Sequence, residues 1–497
     1  MNFANAVKNN TNIKYTENGA VAYSTTGKAL IDLFAQIGAL RPRTEREISE
    51  KYAAAFAADP LLATKMLFYA GNIRGGLGER RTFRICLKWL ARNQADIVIK
   101  NIGLIPYFNR WDSLFVLIDT PAEKEMWKVI YDQLCEDMAN ARKSIQNGKK
   151  ESISLLAKWM PSETASSAET RKLAHKCMTN LGLTPRTYRK MLTALRKHLR
   201  VVEASMSAKE WEAIQYAQVP SYAMKNYRKA FAKHDPEGFT AYKNSLVKGE
   251  AKINASTLFP YDLVAQYTHK YGYWGNSFPV DDIVEAQWKA LPNYVQGENN
   301  ILIMADVSGS MSGRPMETSI GLATYFAQRA TSFYHNLYLT FTDEPHFVEL
   351  REGATLAECV AKVASTDVGY STNLHKAFRL ILKTAVDNKV APEEMPKALV
   401  VISDMEIDYY FRYPSKLDFV ETVKAEFKKF NYQCPKLVMW NVQARNDTFL
   451  SKNEDVLFVS GQSPSVFREL CTNLDGKTSW DLMIETLSNK MYDCIKI

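Results

Sequence analysis

Cysteine and histidine are scarce in this sequence, and long apolar runs are missing. Seven cysteines and seven histidines are scattered over 497 residues without a CxxC pair, so neither a disulfide framework nor a zinc site is expected. The cysteines are interpreted as buried thiols in a reducing, cytoplasmic compartment. The first twenty residues lack the apolar core of a signal peptide, and no apolar run reaches the roughly 20 residues that span a bilayer. Secretion and membrane insertion are therefore disfavoured.

Acidic residues are too few to balance the basic ones, and the imbalance is uneven along the chain. The formal net charge is +9. Residues 1–300 contain 42 Lys or Arg and 29 Asp or Glu, whereas residues 301–497 contain 21 and 25. An excess of cations in one part of a chain predicts a polyanionic partner for that part.

The hydropathy pattern changes near residue 297. Upstream, from about residue 28 to residue 288, apolar residues recur at three- and four-residue spacing, which predicts successive helices stacked in pairs as in an α-solenoid. Downstream, short apolar runs such as ILIMADV, KALVVIS and KLVMWNV alternate with helical segments. This alternation predicts an α/β domain with a doubly wound, mostly parallel sheet. We place a helical domain at 1–296 and the α/β domain at 297–497.

Oxygen-bearing side chains occur in three loops of the predicted α/β domain. Asp306, Ser308 and Ser310 belong to the stretch DVSGSMSG, directly after the apolar run ILIM. Thr372 lies in YSTN before a predicted helix, and Asp404 ends VVISD. Ligand sites of open α/β sheets lie at the carboxyl ends of the strands. Two carboxylates and three hydroxyls without a soft ligand predict a site for Mg²⁺ or another divalent cation, with glycines that let the loop fold tightly around it.

The segment from Pro185 to Glu203 predicts an amphipathic helix with one cationic face. Thr184 suits the N-cap and Pro185 the first helical position. One arc of about 120° on a helical wheel contains Arg186, Arg189, Lys190, Thr193, Arg196, Lys197 and Arg200. Because no acidic residue interrupts this arc, we predict that it binds a polyanion such as a phosphate backbone. A solvated face, or pairing with acidic residues of a neighbouring helix, is the alternative.

A second cationic helix is predicted after RGGLG, which begins at Arg74. The glycines expose backbone N–H groups near a helix start, a common way to hold a phosphate. The sequence lacks the Walker GK[ST], so nucleotide hydrolysis is not predicted. The predicted cationic face consists of Arg80, Arg81, Arg84, Lys88 and Arg92.

The chain resembles the TROVE (Ro autoantigen) family, in which helical repeats precede a von Willebrand factor A domain, and it is most similar to uncharacterised TROVE-like proteins with the same two modules. The five oxygen ligands match the metal-ion-dependent adhesion site (MIDAS) of A domains, which is DxSxS with a Thr and an Asp on later loops. Other stretches that carry the resemblance are LFYAGNIRGGLGERRTFR (67–84), AKWMPSE (157–163), VPSYAMKNYRKAF (219–231), INASTLFPYDLV (253–264) and SDMEID (403–408).

The resemblance implies a HEAT-like ring or horseshoe of helical repeats joined to a Rossmann-like A domain. It further implies a non-enzymatic, cytoplasmic RNA-binding protein that takes small non-coding or misfolded RNA, as in a ribonucleoprotein. In A domains the bound ion leaves one coordination position for an acidic side chain of a protein partner. The RNA-contacting residues are predicted from the basic faces alone: Arg74, Arg80, Arg81, Arg84, Lys88, Arg186, Arg189, Lys190, Arg196, Lys197 and Arg200.

Two other functions stay open at this point. The first is a metal-dependent protein-interaction scaffold that binds no RNA. The second is a metal-dependent nuclease, which needs a second metal or a general base near the first ion. His375 lies one helical turn after Thr372, and we interpret it as structural. Glu406 and Asp408 are expected to tune the metal site or to cap the next segment.

Overall fold

A computed structural model describes residues 12–17, 19, 21–272, 277–297, 300–342, 344–364, 373–407, 419–446, 448–451 and 453–497. The chain divides into two units. The first unit comprises residues 1–70, 74–82 and 255–493, and the second comprises residues 71–73, 83–254 and 494–497. These units divide the chain differently from the boundary predicted at residue 297, because the N-terminal segment and residues 255–296 pack with the α/β part.

The described elements are mostly helical. In chain order, the α-helices are α1 Ala29–Phe34, α2 Glu45–Ala58, α3 Pro60–Gly71, α4 Arg80–Asn93, α5 Ala95–Asn101, α6 Leu104–Phe108, α7 Glu123–Asn147, α8 Leu156–Trp159, α9 Ala168–Asn180, α10 Pro185–Leu199, α11 Val202–Ala208, α12 Ser221–His234, α13 Pro236–Val247, α14 Pro260–Tyr271, α15 Asp282–Lys289, α16 Arg314–Ala327, α17 Leu356–Ala364, α18 Leu374–Asp387, α19 Phe419–Lys428, α20 Phe467–Leu470 and α21 Ser479–Leu487. Each of these helices is too short or too polar to serve as a membrane span.

The first unit contains a six-stranded sheet in the order β5-β4-β3-β6-β7-β8. All neighbouring strands are parallel except β4 and β5, which pair antiparallel at the edge. The mostly parallel α/β sheet predicted for this part of the chain is therefore confirmed. Its strands are β3 Ile301–Asp306, β4 Leu337–Phe341, β5 Phe347–Glu349, β6 Ala398–Ser403, β7 Lys436–Asn441 and β8 Leu457–Ser460. A separate hairpin pairs β1 Ile13–Tyr15 with β2 Val21–Tyr23.

Helices cover both faces of the sheet, which explains why its strands are apolar without alternation. On one face, α18 and α19 pack Phe378 and Phe427 into a core that includes Met304 and Val401. On the other face, α16 contacts β3, β4 and β6, and α14 packs against α16.

The N-terminal segment belongs to the same packing because two glycines allow the backbones to touch. A Cβ atom added to Gly38 would lie 2.5 Å from the Cα atom of Gly461. Helix α1 accordingly contacts β8 and α21. Periodicity cannot predict this contact, since it depends on the absence of two side chains that lie far apart in sequence.

The second unit consists of helices and short connecting turns. Helix α10 packs against α7 and α8, and the Tyr188 hydroxyl donates to the carbonyl of Pro161 at 2.7 Å. Helices α12 and α13 pack through aromatic rings, including Phe231 against Phe239 at 5.8 Å between centroids. The helical character predicted for this region is confirmed, whereas a HEAT-like repeat of helix pairs stays a prediction.

Candidate metal centre and nucleic-acid interface

The two predicted carboxylate ligands lie at the ends of neighbouring parallel strands. Asp306 is the last residue of β3, and Asp404 follows the last residue of β6. The strands pair in register, with Ala305 opposite Ile402, so both carboxylates reach the same edge of the sheet. The side chains are buried, with 0% of Asp306 and 2% of Asp404 exposed.

The DVSGSMSG stretch folds back on its first carboxylate. The backbone N–H of Ser308 donates to Oδ1 of Asp306 at 2.9 Å, and the hydroxyls of Ser308 and Ser310 lie 3.1 Å apart. A 3₁₀ turn spans Gly309–Met311, and α16 then begins at Arg314. We call the set Asp306, Ser308, Ser310 and Asp404 the cup.

Asp306 is held by a second donor. The Ser403 hydroxyl donates to Oδ2 of Asp306 at 2.6 Å. Burial, together with the neighbouring charge of Asp404, raises the pKa of Asp306 to about 7, although the bonds from Ser308 and Ser403 act in the opposite direction. A buried carboxylate in this state is stabilised by either a proton or a nearby cation.

Asp404 has one oxygen without a hydrogen-bond donor. Its Oδ1 accepts the backbone N–H of Glu406 at 3.2 Å, whereas Oδ2 has no hydrogen-bond partner among the described residues. Arg445 lies near this oxygen, with its Nε 3.7 Å from Oδ2. Burial raises the pKa of Asp404, whereas the backbone N–H of Glu406, the Arg445 charge and the Ser310 hydroxyl act in the opposite direction.

These donors fit a hard divalent cation. The cup provides two hydroxyls and two buried carboxylates, and one oxygen of the Asp404 carboxylate accepts no hydrogen bond from the described residues. Mg²⁺ prefers oxygen ligands of this kind and retains several waters. Within the described residues, no three His, Cys, Asp or Glu side chains are grouped for metal binding, so hydroxyls would have to complete the protein's ligand set. The fifth predicted ligand, Thr372, lies outside the described residues.

Glu406, two residues after Asp404, connects the N-terminal segment to the segment that follows β7. Its Oε2 accepts the backbone N–H of Glu17 at 2.8 Å, and its Oε1 accepts Nδ2 of Asn446 at 3.0 Å. Burial raises the pKa of this carboxyl. Asp408, which was predicted together with Glu406 to tune the metal site or cap the next segment, lies outside the described residues. Nε2 of His375 lies 3.2 Å from a carboxylate oxygen of Glu426, in a hydrogen bond that joins α18 to α19.

The predicted cationic helix of the second unit is α10, which runs from Pro185 to Leu199. Thr184 caps it by accepting the backbone N–H of Thr187 at 3.2 Å, as expected. The helix is shorter than predicted because Arg200 adopts the left-handed conformation, with φ of 53°. The exposed cations without a carboxylate partner among the described residues form what we call the basic stripe: Arg186, Lys190, Lys197 and Arg200.

Two arginines of the predicted face have protein partners instead. The Arg189 guanidinium lies 2.9 Å from Glu163 in an ion pair. Arg196 is half-buried and donates to the carbonyls of Ala157 and Met160 at 3.0 and 2.7 Å. Burial accordingly lowers the pKa of Arg196. We therefore correct its assignment, because this guanidinium holds the segment after α8 and is not presented to a ligand.

The second predicted cationic face is also partly engaged within the protein. Arg81 donates to the carbonyl of Arg43 at 2.8 Å, and Arg84 lies 2.8 Å from Asp112 in an ion pair. Arg74 and Arg80 are exposed, and Lys88 is half-buried. Arg84 is therefore paired with an acidic residue, whereas Arg81 is bonded to a backbone carbonyl.

The positive charge of the chain is concentrated in the second unit. This unit contains 30 Lys or Arg and 17 Asp or Glu, which gives a net charge of +13. The rest of the chain is therefore net negative. The uneven charge along the sequence therefore corresponds to one basic unit and one acidic unit in the folded protein.

A relative with sequence similarity along most of its length identifies the family. Uncharacterized protein L728 of Acanthamoeba polyphaga mimivirus is 30% identical over 493 residues, covering 92% of this chain and 84% of the relative. The chain belongs to the same family as this mimivirus protein. Two family models also match, each described as a domain of unknown function: DUF2828 at residues 16–108 and 171–300, and DUF7788 at residues 300–486. Neither description names a TROVE or von Willebrand A domain.

Three residues of the site were missed by sequence reasoning. Ser403 orients Asp306, Arg445 approaches Asp404, and Asn446 fixes Glu406. Ser403 directly precedes Asp404 and could have been found from the VVISD stretch. Arg445 and Asn446 follow β7, and no carboxylate in the segment NVQARN marks the end of this strand as part of a site. They lie near the cup because β7 is the neighbour of β6 in the sheet.

Proposed function

We propose that this member of the family is a non-enzymatic RNA-binding protein whose second unit binds RNA and whose first unit holds Mg²⁺ or another divalent cation in the cup. The observation that carries the RNA proposal is the net charge of +13 on one folded unit, with a stripe of exposed cations that no carboxylate among the described residues neutralises. In finer terms, we propose a TROVE-like protein with a von Willebrand A-type domain.

The basic stripe suits a phosphate backbone for electrostatic reasons. Arg186 and Lys190 are one helical turn apart, and helical turns repeat about every 5.4 Å. Like charges at this spacing repel one another in the free protein. An anionic chain laid along the helix relieves the repulsion and releases counterions, so binding weakens as salt increases.

The experiment is a salt titration of RNA binding with a charge-reversal variant. Fluorescence anisotropy with a labelled single-stranded RNA should give an affinity that falls steeply with KCl concentration. Arg186→Glu with Lys190→Glu should weaken binding about tenfold or more and reduce the salt slope by about 0.7 for each phosphate that the variant no longer neutralises. Lys428→Glu with Lys429→Glu is the matched control, because it makes a charge change of the same size at exposed positions of the first unit.

Unchanged affinity in the Arg186/Lys190 variant would remove the stripe from the proposal, and an equal loss in both variants would indicate only a net-charge effect. RNA recovered intact on a gel fits a binding protein. RNA cleaved in wild type but not in Asp306→Ala would instead support the nuclease alternative.

A metal-dependent protein-interaction scaffold is the second candidate. The specific observation in its favour is Oδ2 of Asp404, a buried ligand atom without a donor among the described residues. A cation bound there can accept a carboxylate from another protein. Recovery of a protein partner that EDTA releases, from preparations that contain no nucleic acid, would favour the scaffold over RNA binding.

A further inference from the structure

Arg445 connects two sides of the cup. Its Nη2 donates to the carbonyl of Ser310 in the loop after β3. Its Nε lies 3.7 Å from Oδ2 of Asp404, which follows β6. The same guanidinium therefore contacts both strand-end segments that carry the cup residues.

The ion pair with Asp404 is electrostatic, without a hydrogen bond. The Nε–Oδ2 distance of 3.7 Å is beyond hydrogen-bonding range, and Oδ2 has no other partner among the described residues. Arginine stays protonated in proteins, so its charge is always present. A permanent positive charge thus lies beside the oxygen that a metal ion would use.

The backbone of this arginine is fixed whereas its side chain has a route to solvent. Arg43 donates to the Arg445 carbonyl at 2.6 Å, and the neighbouring Ala444 N–H donates to the carbonyl of Ala39 at 2.9 Å. The Arg445 side chain is nevertheless 31% exposed. The guanidinium can therefore turn away from Asp404 without moving the loop that carries it.

We propose that Arg445 is a tethered cation that competes with the divalent ion for Asp404. This inference rests on the proposed metal site and adds how its occupancy is regulated. In the metal-free protein, the guanidinium partly neutralises Asp404 and holds the loop of Ser310 beside it. Metal binding displaces the guanidinium from Asp404 toward solvent.

The variant Arg445→Gln tests the competition directly, with Mg²⁺ as the probe and isothermal titration calorimetry of the full-length protein as the readout. Removing a positive charge this close to a metal ligand should tighten Mg²⁺ binding by on the order of tenfold. Arg445→Lys keeps the charge and should bind Mg²⁺ like the wild type. Equal affinity in the Gln variant and wild type, or weaker binding in the Gln variant, overturns the proposal, since the arginine would then be irrelevant or only a scaffold for the loop.

A second measurement on the wild-type protein covers the case in which the Gln variant does not fold. Phenylglyoxal modifies accessible guanidinium groups, and mass spectrometry of the peptide that contains Arg445 reports its accessibility. Saturating Mg²⁺ should increase modification of Arg445, with the peptide of Arg186 as internal reference. Unchanged or reduced modification of Arg445 would contradict its displacement by Mg²⁺.

Failure of the metal site itself gives a different result. If neither wild type nor Arg445→Gln binds Mg²⁺, the cation site is wrong and the competition is wrong with it. If wild type binds Mg²⁺ and Asp306→Asn does not, the site stands, and the Arg445 experiments then decide the competition alone. The RNA experiment is independent of both.

Discussion

The Ser403 hydroxyl donates to Oδ2 of Asp306 at 2.6 Å, so the last residue of β6 fixes the carboxylate at the end of the neighbouring strand β3. The other oxygen, Oδ1, is fixed by the backbone N–H of Ser308 at 2.9 Å. Both oxygens are thus fixed by hydrogen bonds from the protein. A carboxylate held in this way is oriented before any ion arrives, which reduces the ordering that binding requires.

Asp306→Asn should abolish metal-dependent stabilisation. An ion at 100 times its dissociation constant stabilises the folded state by about 2.7 kcal/mol, so MgCl₂ should raise the melting temperature of wild type and leave that of the variant unchanged. Without metal, the variant should be at least as stable as wild type, because it removes a buried charge that Asp404 repels. Differential scanning calorimetry with and without MgCl₂ measures both effects.

Asp387→Asn is the control for that substitution, since it makes the same change at an exposed position at the end of α18. A melting temperature of Asp306→Asn that still rises with MgCl₂, to the same extent as in the control, would contradict the assignment of Asp306 as a ligand.

The two glycines of the cup loop should respond differently to alanine. Gly313 has φ of 86° and ψ of −140°, a conformation that only glycine adopts readily, so Gly313→Ala should destabilise the first unit by about 1–3 kcal/mol. Gly309 has no left-handed φ and no atom within 4 Å of an added Cβ, so Gly309→Ala should change stability little. Urea denaturation of both variants measures the difference. Equal losses would contradict the role assigned to the backbone conformation of Gly313.

Most strands and helices could be predicted from the local pattern of apolar and capping residues. Features that depend on an unusual backbone conformation could not. The run ILIMAD is buried at every position, which is what a continuous apolar strand predicts. The Thr184–Pro185 start of α10 was likewise readable from capping chemistry. Its end was not, because Arg200 takes a left-handed conformation that its residue type does not favour.

The candidate site divides in the same way. Asp306 and Asp404 could be placed together because the carboxyl ends of parallel strands meet at one edge. The partners of the arginines could not be predicted, since Glu163 and Asp112 are brought to Arg189 and Arg84 by tertiary packing. A helical wheel describes one helix and contains no information about the carboxylates on its neighbours.

Glu469 should make the stability of the first unit decrease as the pH rises. Burial raises the pKa of this carboxyl from 4.5 to about 7, against the opposing charge of Arg468 and with a small contribution from Glu485. The folded protein therefore retains a proton that the unfolded chain releases. The contribution of Glu469 is fully present below pH 4.5 and is lost as the pH rises through about 7.

The variant Glu469→Gln should remove this dependence. It should be more stable than wild type at pH 8, by about 1–3 kcal/mol, and similar to it at pH 5. Urea denaturation at pH 5, 6, 7 and 8 provides the measurement, with Glu393→Gln as a control at an exposed position of the first unit. Parallel curves for Glu469→Gln and wild type would show that Glu469 ionises as it does in the unfolded chain.

Arg196 and Lys197 are adjacent in α10, and we expect the first to stabilise the fold and the second to bind RNA. Arg196 donates to two backbone carbonyls and, at 3.0 Å, to the Ser162 hydroxyl, so Arg196→Ala leaves buried acceptors without a donor. We expect it to destabilise the second unit by about 2–4 kcal/mol. Lys197 is exposed, so Lys197→Ala should leave stability unchanged and weaken RNA binding at low salt.

Urea denaturation and RNA anisotropy on the same two preparations separate these roles. If Arg196 is structural, Arg196→Ala should lose stability. If Lys197 faces the RNA, Lys197→Ala should lose RNA affinity. The Arg196 variant, measured at a temperature where it is folded, should bind RNA almost as wild type does, because its guanidinium is directed into the protein. Loss of RNA affinity in folded Arg196→Ala, without loss of stability, would return Arg196 to the RNA-binding surface.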